Sequence, residues 1–357
     1  MSKLNLQTLF RPQIFALSAY HVPSAQGFIK LDAMENPYSW SEELKQDWLS
    51  RLKDAAINRY PDPQATQLNA TLKKLNALPE NIEILLGNGS DEIIQLLLIA
   101  LPPNSHVLST TPSFVMYKQI SDCLGLNYHG VSLRAENFAL DVPEMLAAIE
   151  KYNPAVIFLA YPNNPTGNLF DENAITQIID AAKGLVIIDE AYEPFAGQAS
   201  FMNRARENVL VMRTVSKLGL AGLRLGYLAG EREIIAQLDK IRLPYNINVL
   251  TQISVQFALE NKAVFDEQTA QICRERELML PALNALEGVL AYESAANFIL
   301  FKTPQNQATR IFEAIKAQGV LIKNVHSQGG LLTDCLRVTV GTPEENTAFL
   351  NALKAAL

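Results

Sequence analysis

Short apolar runs that alternate with amphipathic stretches between residues 80 and 245 constrain the fold of this chain most strongly. Six runs are rich in aliphatic residues: "IEILLG" (82–87), "HVLST" (106–110), "AVIFLAY" (155–161), "GLVIIDE" (184–190), "NVLVMRT" (208–214) and "LRLGYLAG" (223–230). Runs of this length, separated by helical patterns, are typical of strands buried on both faces of a mostly parallel sheet. The sequence therefore predicts an α/β fold with helices on both faces of the sheet.

The pattern changes after residue 245. Residues 254–286 have apolar positions at helical spacing and predict one or two long helices, and shorter strand and helix patterns follow to the end of the chain. A chain of 357 residues can bury the core of one large and one smaller unit. We expect a large cofactor-binding α/β domain over 50–245, and a small α+β domain formed by 1–49 together with 246–357.

Composition and charge exclude several classes of function. The net charge of -7 argues against a nucleic-acid partner, since binding to phosphate backbones needs an excess of Lys and Arg. The longest apolar run, "IIQLLLIALPP" (93–103), is too short for a membrane span and predicts a buried helix.

The first residues, "MSKLNLQTLFRPQ", lack the apolar core of a secretory signal, and Cys123, Cys273 and Cys335 are far apart in the sequence. Both features favour a cytoplasmic location. Four scattered histidines give no metal-binding pattern, so we expect no catalytic metal.

Polar residues follow two of the predicted strands, at the edge of the sheet where ligands bind in α/β folds. Asn163 and Asn164 follow "AVIFLAY", and Asp189 ends "GLVIID", with Tyr192 three residues later. A carboxylate that leaves an aliphatic strand is costly to bury unless it meets a cation or a donor. The alternatives are a turn for the asparagines and a helix N-cap for the aspartate.

The glycine turn in "LLGNGSDE" lies between a predicted strand and a predicted helix. Glu92 stands where a dinucleotide fingerprint has its third glycine, so that match is weak. The free N–H groups at the start of the helix, with the hydroxyl group of Ser90, still form a site for an anion. The turn from Gly89 to Asp91 is therefore a candidate phosphate site, and a simple helix cap is the alternative.

The segment "RTVSKLGLAGLRLG" (213–226) supplies hydroxyl groups at Thr214 and Ser216 and cations at Lys217 and Arg224. Together with the polar residues at the neighbouring strand ends, this set predicts a site for pyridoxal 5'-phosphate. Lys217 is the candidate Schiff-base residue and proton carrier, which requires an amine with a lowered pKa. Asp189 is expected to keep the ring nitrogen protonated, so that the ring can accept electrons.

The remaining residues of the set are assigned to the other polar groups of the cofactor. We expect Asn164 and Tyr192 to donate hydrogen bonds to the ring oxygen, and Tyr192 joins Lys217 and Asp189 as a candidate catalytic residue. The phosphate is expected to bind Gly89, Ser90, Asp91, Thr214, Ser216 and Arg224.

The ordered motifs "GNGSDE", "PSFVMY", "YPNNPTG", "IIDEAY", "RTVSKLGLAGLRLGY" and "LRVTVGT" resemble those of the fold type I pyridoxal-phosphate-dependent aminotransferases, in particular the histidinol-phosphate aminotransferases. The resemblance covers nearly the whole chain. It implies a seven-stranded, mostly parallel central sheet and a smaller α+β domain. It also implies transfer of an amino group between L-histidinol phosphate and 2-oxoglutarate in histidine biosynthesis, giving imidazole acetol phosphate and glutamate.

The resemblance also implies roles for individual residues. Tyr117 would stack on the cofactor ring, and Tyr60 would reach the cofactor phosphate of a neighbouring subunit, which implies a homodimer. Arg337 would bind the carboxylate or phosphate group of the substrate, since a guanidinium group suits either anion. Tyr20 would lie near the imidazole ring, and Asn164 and Lys323 would complete the substrate-binding set.

Three positions depart from the family pattern, and all three lie on the substrate side. Asp32 and Met34 occupy the two asparagine positions of an "NxNE" motif, and Lys323 stands where a second arginine is usual. Lysine keeps the charge but loses the two-pronged geometry of arginine. An aromatic amino-acid aminotransferase, a threonine-phosphate decarboxylase and a cofactor-binding regulatory module without turnover are the alternatives.

Overall fold

A computed structural model of the chain describes residues 4–19, 24–197, 199–204 and 206–357. The strands, in chain order, are β1 (Ile29–Lys30), β2 (Ile82–Gly87), β3 (His106–Thr111), β4 (Asn127–Ser132), β5 (Val156–Ala160), β6 (Leu185–Asp189), β7 (Val209–Thr214), β8 (Gly226–Glu231), β9 (Leu290–Ala291), β10 (Phe298–Lys302), β11 (Val320–Leu321), β12 (Lys323–Asn324) and β13 (Cys335–Thr339). The helices are α1 (Leu6–Leu9), α2 (Pro12–Phe15), α3 (Glu42–Leu52), α4 (Thr66–Leu75), α5 (Ser90–Ile99), α6 (Val115–Leu124), α7 (Val142–Tyr152), α8 (Glu172–Ala181), α9 (Arg232–Asp239), α10 (Val249–Glu260), α11 (Lys262–Asn284), α12 (Ala308–Ala317) and α13 (Pro343–Ala356).

The central sheet has seven strands in the order β2-β8-β7-β6-β5-β3-β4. Strand β8 runs antiparallel to both of its neighbours, β2 and β7, and the pairs from β7 to β4 are parallel. Strands β5 and β6 are almost fully buried because helices cover both faces of the sheet. The predicted α/β architecture with a mostly parallel sheet is confirmed.

Two details of this sheet differ from the sequence prediction. Strand β4 has no apolar run in "NYHGVS", because it lies at the edge of the sheet and none of its residues is buried. The strand predicted at 223–230 begins three residues later, at Gly226. Residues Ala221–Leu223 instead form a 3₁₀ turn, and Arg224 ends it with a left-handed backbone conformation (φ 50°).

A second sheet with the order β12-β13-β10-β9 follows the long helices α10 and α11. The N-terminal segment joins the C-terminal part of the chain through β1, which pairs in parallel with β11. The last helix, α13, begins with a capping box, in which Thr342 and Glu345 each accept a hydrogen bond from the backbone of the other. The pairing of β1 with β11 supports the predicted association of the N-terminal segment with the C-terminal part of the chain. The limits of the two domains stay a prediction.

Helix α5 carries the longest apolar run and lies buried beneath the sheet, as the sequence predicted. None of the described helices combines the length and apolarity that crossing a bilayer would require.

Candidate active site

A cavity of about 370 Å³ opens at the carboxyl ends of the central strands. Nine of the residues predicted from the sequence to form the site line its wall: Ser90, Asp91, Asn164, Asp189, Tyr192, Thr214, Ser216, Lys217 and Arg224. Most of them follow different strands of the sheet. They meet in one cavity because parallel strands finish at the same edge of a sheet. An amine, a buried carboxylate and a set of anion-binding donors thus share one cavity.

Lys217 lies in a 3₁₀ turn, Ser216–Leu218, directly after β7. Its Nζ lies 3.4 Å from the carbonyl oxygen of Ala33 and 5.7 Å from the centre of the Tyr192 ring. Burial, with the nearby positive charge of Arg337, lowers the pKa of this amine to about 8. A neutral and therefore nucleophilic form is accessible near neutral pH, which a solvent-exposed lysine does not offer.

Asp189 is the last residue of β6, and only 4% of its surface is exposed. The hydroxyl group of Tyr117 donates to Oδ2 at 2.5 Å, and the backbone N–H of Ala191 donates to Oδ1 at 3.1 Å. Burial raises the pKa of this carboxyl group to about 6, against the opposing effect of these two donors. A buried carboxylate of this kind is suited to pair with a cation inside the cavity.

Asn164 connects the cavity to an arginine behind it. Its side-chain amide donates to the hydroxyl group of Tyr192 at 3.1 Å, and its Oδ1 accepts from Nη1 of Arg337 at 2.6 Å. Nη2 of Arg337 donates to the backbone oxygen of Asp32 at 3.0 Å. The neighbouring Asn163 instead binds Pro112 and Thr166, and it is fully buried, so its role is to hold the turn.

The anion-binding donors meet around the start of α5. Gly89 precedes the helix with φ 82°, and a Cβ at this position would lie 2.5 Å from Nη2 of Arg224. Nη2 of Arg224 also lies 3.7 Å from Oδ2 of Asp91, and the Thr214 hydroxyl group donates to Ser216 at 2.9 Å. The helix N-terminus, two hydroxyl groups and a guanidinium group form a cradle suited to a phosphate group.

Tyr117 does not have the position that the sequence analysis expected for a ring-stacking residue. It is fully buried beneath the cavity, with its ring stacked on Phe158 at 4.5 Å and its hydroxyl group on Asp189. Phe114, three residues earlier in "PSFVMY", lines the cavity instead. The position expected for Tyr117 is therefore corrected, because Phe114 lies at the start of α6, beside the cavity, whereas Tyr117 lies one helical turn further on, against the sheet.

The other predicted residues lie outside the cavity wall. Tyr60 is 80% exposed and stacks on Tyr245, with 4.4 Å between the ring centres. Lys323 lies directly opposite Arg337 in the pairing of β12 with β13, so that both side chains share one face of that sheet. Tyr20 is outside the described residues.

One wall of the cavity was not predicted from the sequence. It consists of Ala33, Met34 and Glu35, in the "LDAMENP" segment, which from the sequence is only a departure from the family pattern on the substrate side. The backbone of Met34 is held by Thr339 and Asn297, which lie in and next to the second sheet. Such a long-range contact leaves no local signal in the sequence. Within the described part of the chain, no group of three or more His, Cys, Asp or Glu side chains is placed to hold a metal ion.

The chain matches the family described as "Aminotransferase class I and II" over residues 26–353. It is 57% identical to histidinol-phosphate aminotransferase 2 of Nitrosococcus oceani over 358 residues, with 99% of each chain covered. It is 50% identical over 360 residues to histidinol-phosphate aminotransferase 2 of Cupriavidus pinatubonensis, covering 99% of this chain and 97% of that relative. In structure it is similar to histidinol-phosphate aminotransferase from Sinorhizobium meliloti in complex with pyridoxal-5'-phosphate, with a TM-score of 0.86, 22% identity and 97% of each chain covered.

Proposed function

The chain belongs to the class I and II aminotransferases, and on that premise we propose that it transfers the amino group of L-histidinol phosphate to 2-oxoglutarate with pyridoxal 5'-phosphate as cofactor. The observation that carries the proposal is that Lys217, Asp189 and the cradle donors around Arg224 share one cavity, in a chain 57% identical to a relative named for this activity. The products would be imidazole acetol phosphate and glutamate.

The residues of the cavity fit this cofactor group by group. The cradle offers N–H and hydroxyl donors and the guanidinium group of Arg224 to a phosphate, and the lack of a side chain at Gly89 leaves room for that guanidinium group. Asp189 offers a buried carboxylate to a protonated ring nitrogen, Asn164 and Tyr192 offer hydrogen bonds to the ring oxygen, and Phe114 offers an aromatic face. When bound, pyridoxal phosphate supplies an electron sink for the charge left on the substrate carbon.

The chain's own residues would bind, orient and move protons around that group. Lys217 would anchor the cofactor through Nζ, and after its release by the substrate amine the same Nζ would take a proton from the substrate carbon. Its pKa of about 8 suits this exchange, because the neutral and protonated forms are both populated near neutral pH. The Tyr192 hydroxyl group, whose pKa burial raises far above its usual value, would remain a hydrogen-bond donor.

Arg337 is the residue that we propose binds the anionic group of both substrates. It is buried, and it already contacts Asn164 at the cavity wall, so a bound anion would lie close to the cofactor ring. Lys323 faces the same side of the sheet and would add a second positive charge. The phosphate of the amine and the carboxylate of 2-oxoglutarate both suit a guanidinium group.

The cradle gives a prediction with a matched pair of glycines. Gly89→Ala would place a Cβ 2.5 Å from Arg224, whereas Gly27→Ala, at the same φ of 82°, has nothing within 4 Å. Both variants carry the backbone strain, so their difference isolates the contact with Arg224. We expect Gly89→Ala to weaken pyridoxal phosphate binding by about tenfold or more, the value of a lost charge-assisted hydrogen bond. Titration of the cofactor-free protein measures this, and equal affinities of the two variants would contradict the phosphate role of the cradle.

The substrate site gives a second prediction. Arg337→Lys keeps the charge but loses the two-pronged geometry, and we expect kcat/KM for histidinol phosphate to fall by about 100-fold. The control is Arg310→Lys, at an exposed position of α12. Steady-state assays that follow glutamate formation measure both variants. If Arg337→Lys lowered kcat/KM no more than the control did, Arg337 would not bind the substrate anion.

The function itself is tested by comparing two amines that differ in a single group. Histidinol phosphate is expected to give glutamate from 2-oxoglutarate, and histidinol, which lacks the phosphate group, is expected to react at least about 100-fold less efficiently for want of that anion contact. Equal kcat/KM values for the two amines would overturn the proposed substrate.

We also propose that the protein works as a homodimer in the cytoplasm. Tyr60 is exposed and rests on Tyr245, which keeps it at the surface, where it could reach the phosphate site of a second subunit. The three cysteines, none of which forms a disulfide, fit a reducing compartment. Sedimentation of the purified protein tests the dimer, and a monomeric but fully active enzyme would contradict the shared site.

A further inference from the structure

We infer that Tyr117 is a positioning residue, whose hydroxyl group holds the Asp189 carboxylate oriented and ionised for a bound pyridine nitrogen. The inference rests on the cofactor part of the proposed function. From the sequence, Tyr117 is expected to lie against the cofactor ring. In the structure its side chain lies beneath the cavity, with its hydroxyl group on Asp189.

The geometry of the carboxylate is the first support. Each oxygen of Asp189 accepts one hydrogen bond from the protein: Oδ2 from Tyr117 at 2.5 Å and Oδ1 from the backbone of Ala191 at 3.1 Å. A carboxylate has about four acceptor positions, so these bonds fix the plane of the group and leave positions for a donor in the cavity. Asp189 lines that cavity, and Tyr117 reaches it from behind.

The Tyr117 ring is itself held in place, so its hydroxyl group has one position. It stacks on Phe158 with 4.5 Å between ring centres and meets the edge of Phe114 at 5.5 Å. The side chain has no exposed surface, so water does not compete for its hydroxyl group. Phe114 thus contacts both the cavity and Tyr117, which ties the positioning residue to the wall beside the cofactor.

The charges around Asp189 show why such a donor is needed. Burial raises the pKa of the Asp189 carboxyl group, and the carboxylates of Asp91 and Glu190 raise it further, whereas the donors at Tyr117 and Ala191 lower it. The pKa of the Tyr117 phenol lies well above its usual value because of burial and the adjacent carboxylate, so the hydroxyl group remains a donor. Without Tyr117, the carboxyl group of Asp189 would stay protonated up to a higher pH, and its protonated oxygen would not accept a hydrogen bond from the pyridinium N–H.

Two cofactor forms separate this role from ordinary packing. Tyr117→Phe removes only the hydroxyl group, and the variant is titrated, as the cofactor-free full chain, with pyridoxal 5'-phosphate and with 1-deazapyridoxal 5'-phosphate, which has no ring nitrogen. We expect the preference of the wild type for pyridoxal phosphate over the deaza form to fall by about tenfold in Tyr117→Phe, the value of one hydrogen bond to a charged group. Tyr161→Phe is the control, because that hydroxyl group also meets a carboxylate, at 3.4 Å on Glu172, but outside the cavity.

A pH series gives a second readout that packing would not move. The pH below which pyridoxal phosphate affinity declines should shift upward in Tyr117→Phe and stay unchanged in Tyr161→Phe, because only the first change raises the pKa of Asp189. If Tyr117→Phe kept the preference of the wild type and its pH midpoint, the inference would be overturned while the proposed cofactor stood. If the wild type itself showed no preference between the two forms, the role of Asp189 in the proposed function would fail first, and the inference with it.

Discussion

Replacement of Lys217 by alanine is expected to abolish transamination, lowering kcat by about 10⁴-fold or more, since one amine serves as both anchor and proton carrier. The lysine lies in the 3₁₀ turn that follows β7, and it lines the cavity together with Asp189 and Tyr192. The purified variant should also lose the visible absorption band of cofactor bound covalently to lysine, while its free energy of unfolding changes little. Absorption spectra and turnover assays measure the two effects together.

The matched control is Lys354→Ala, at an exposed position of α13. It removes the same side chain without touching the cavity, so both the absorption band and the turnover should persist. Full activity in Lys217→Ala would remove the basis for assigning the amine to this residue.

The second large effect is expected from Asp189→Asn. The amide has the same shape but no charge, so it can pair with a ring nitrogen only as a neutral partner. Electrostatic groups aimed at developing charge in an active site are worth about 10²–10³-fold in rate, and we expect a loss of that size in kcat. Single-turnover rates with a saturating amine measure it without interference from product release.

Asp180→Asn is the control for this variant. Asp180 pairs with Arg206 at the surface, and its side chain is 59% exposed, so removal of its charge should leave the rate unchanged. If Asp189→Asn lowered the rate by no more than about twofold relative to the control, the loss would be far smaller than the expected electrostatic effect. That result would contradict the pairing of Asp189 with the cofactor.

The sequence predicted which residues share the cavity, because these residues stand at strand ends. Asp189, Thr214 and Lys217 each follow or end an aliphatic run, and parallel strands bring such positions to one edge whatever the details of packing. The same reasoning found the helix start at Ser90. The strands of the central sheet could also be predicted, because buried strands are aliphatic runs. Strand β4 is the exception, since its position at the edge of the sheet removes the apolar pattern.

The residues on the substrate side of the cavity could not be predicted from strand ends. The wall formed by Ala33, Met34 and Glu35 depends on contacts with residues about 300 positions away, such as that between Met34 and Thr339. Which aromatic residue of "PSFVMY" reaches the cavity depends on where α6 begins, and helix ends are uncertain by one or two residues in any sequence pattern. Phe114, the residue before α6, lines the cavity, whereas Tyr117, three residues later, lies in the layer beneath it.

An aromatic amino-acid aminotransferase on the same fold would share the cofactor residues. The proposed substrate, histidinol phosphate, therefore depends on residues outside the cofactor site. We propose that the difference lies in the anion site around Arg337 and Lys323 and in the wall at Met34. Phenylalanine carries a carboxylate and no phosphate group, whereas histidinol phosphate carries a phosphate group and no carboxylate. The two amines therefore test which anion this site serves on the donor side of the reaction.

The most direct measurement is a single half-reaction, followed by the visible absorption of the cofactor-loaded enzyme without any keto acid present. We expect histidinol phosphate to bleach the band as the cofactor takes up the amino group, and phenylalanine to do so far more slowly. Rapid bleaching by phenylalanine, with none by histidinol phosphate, would contradict the assignment.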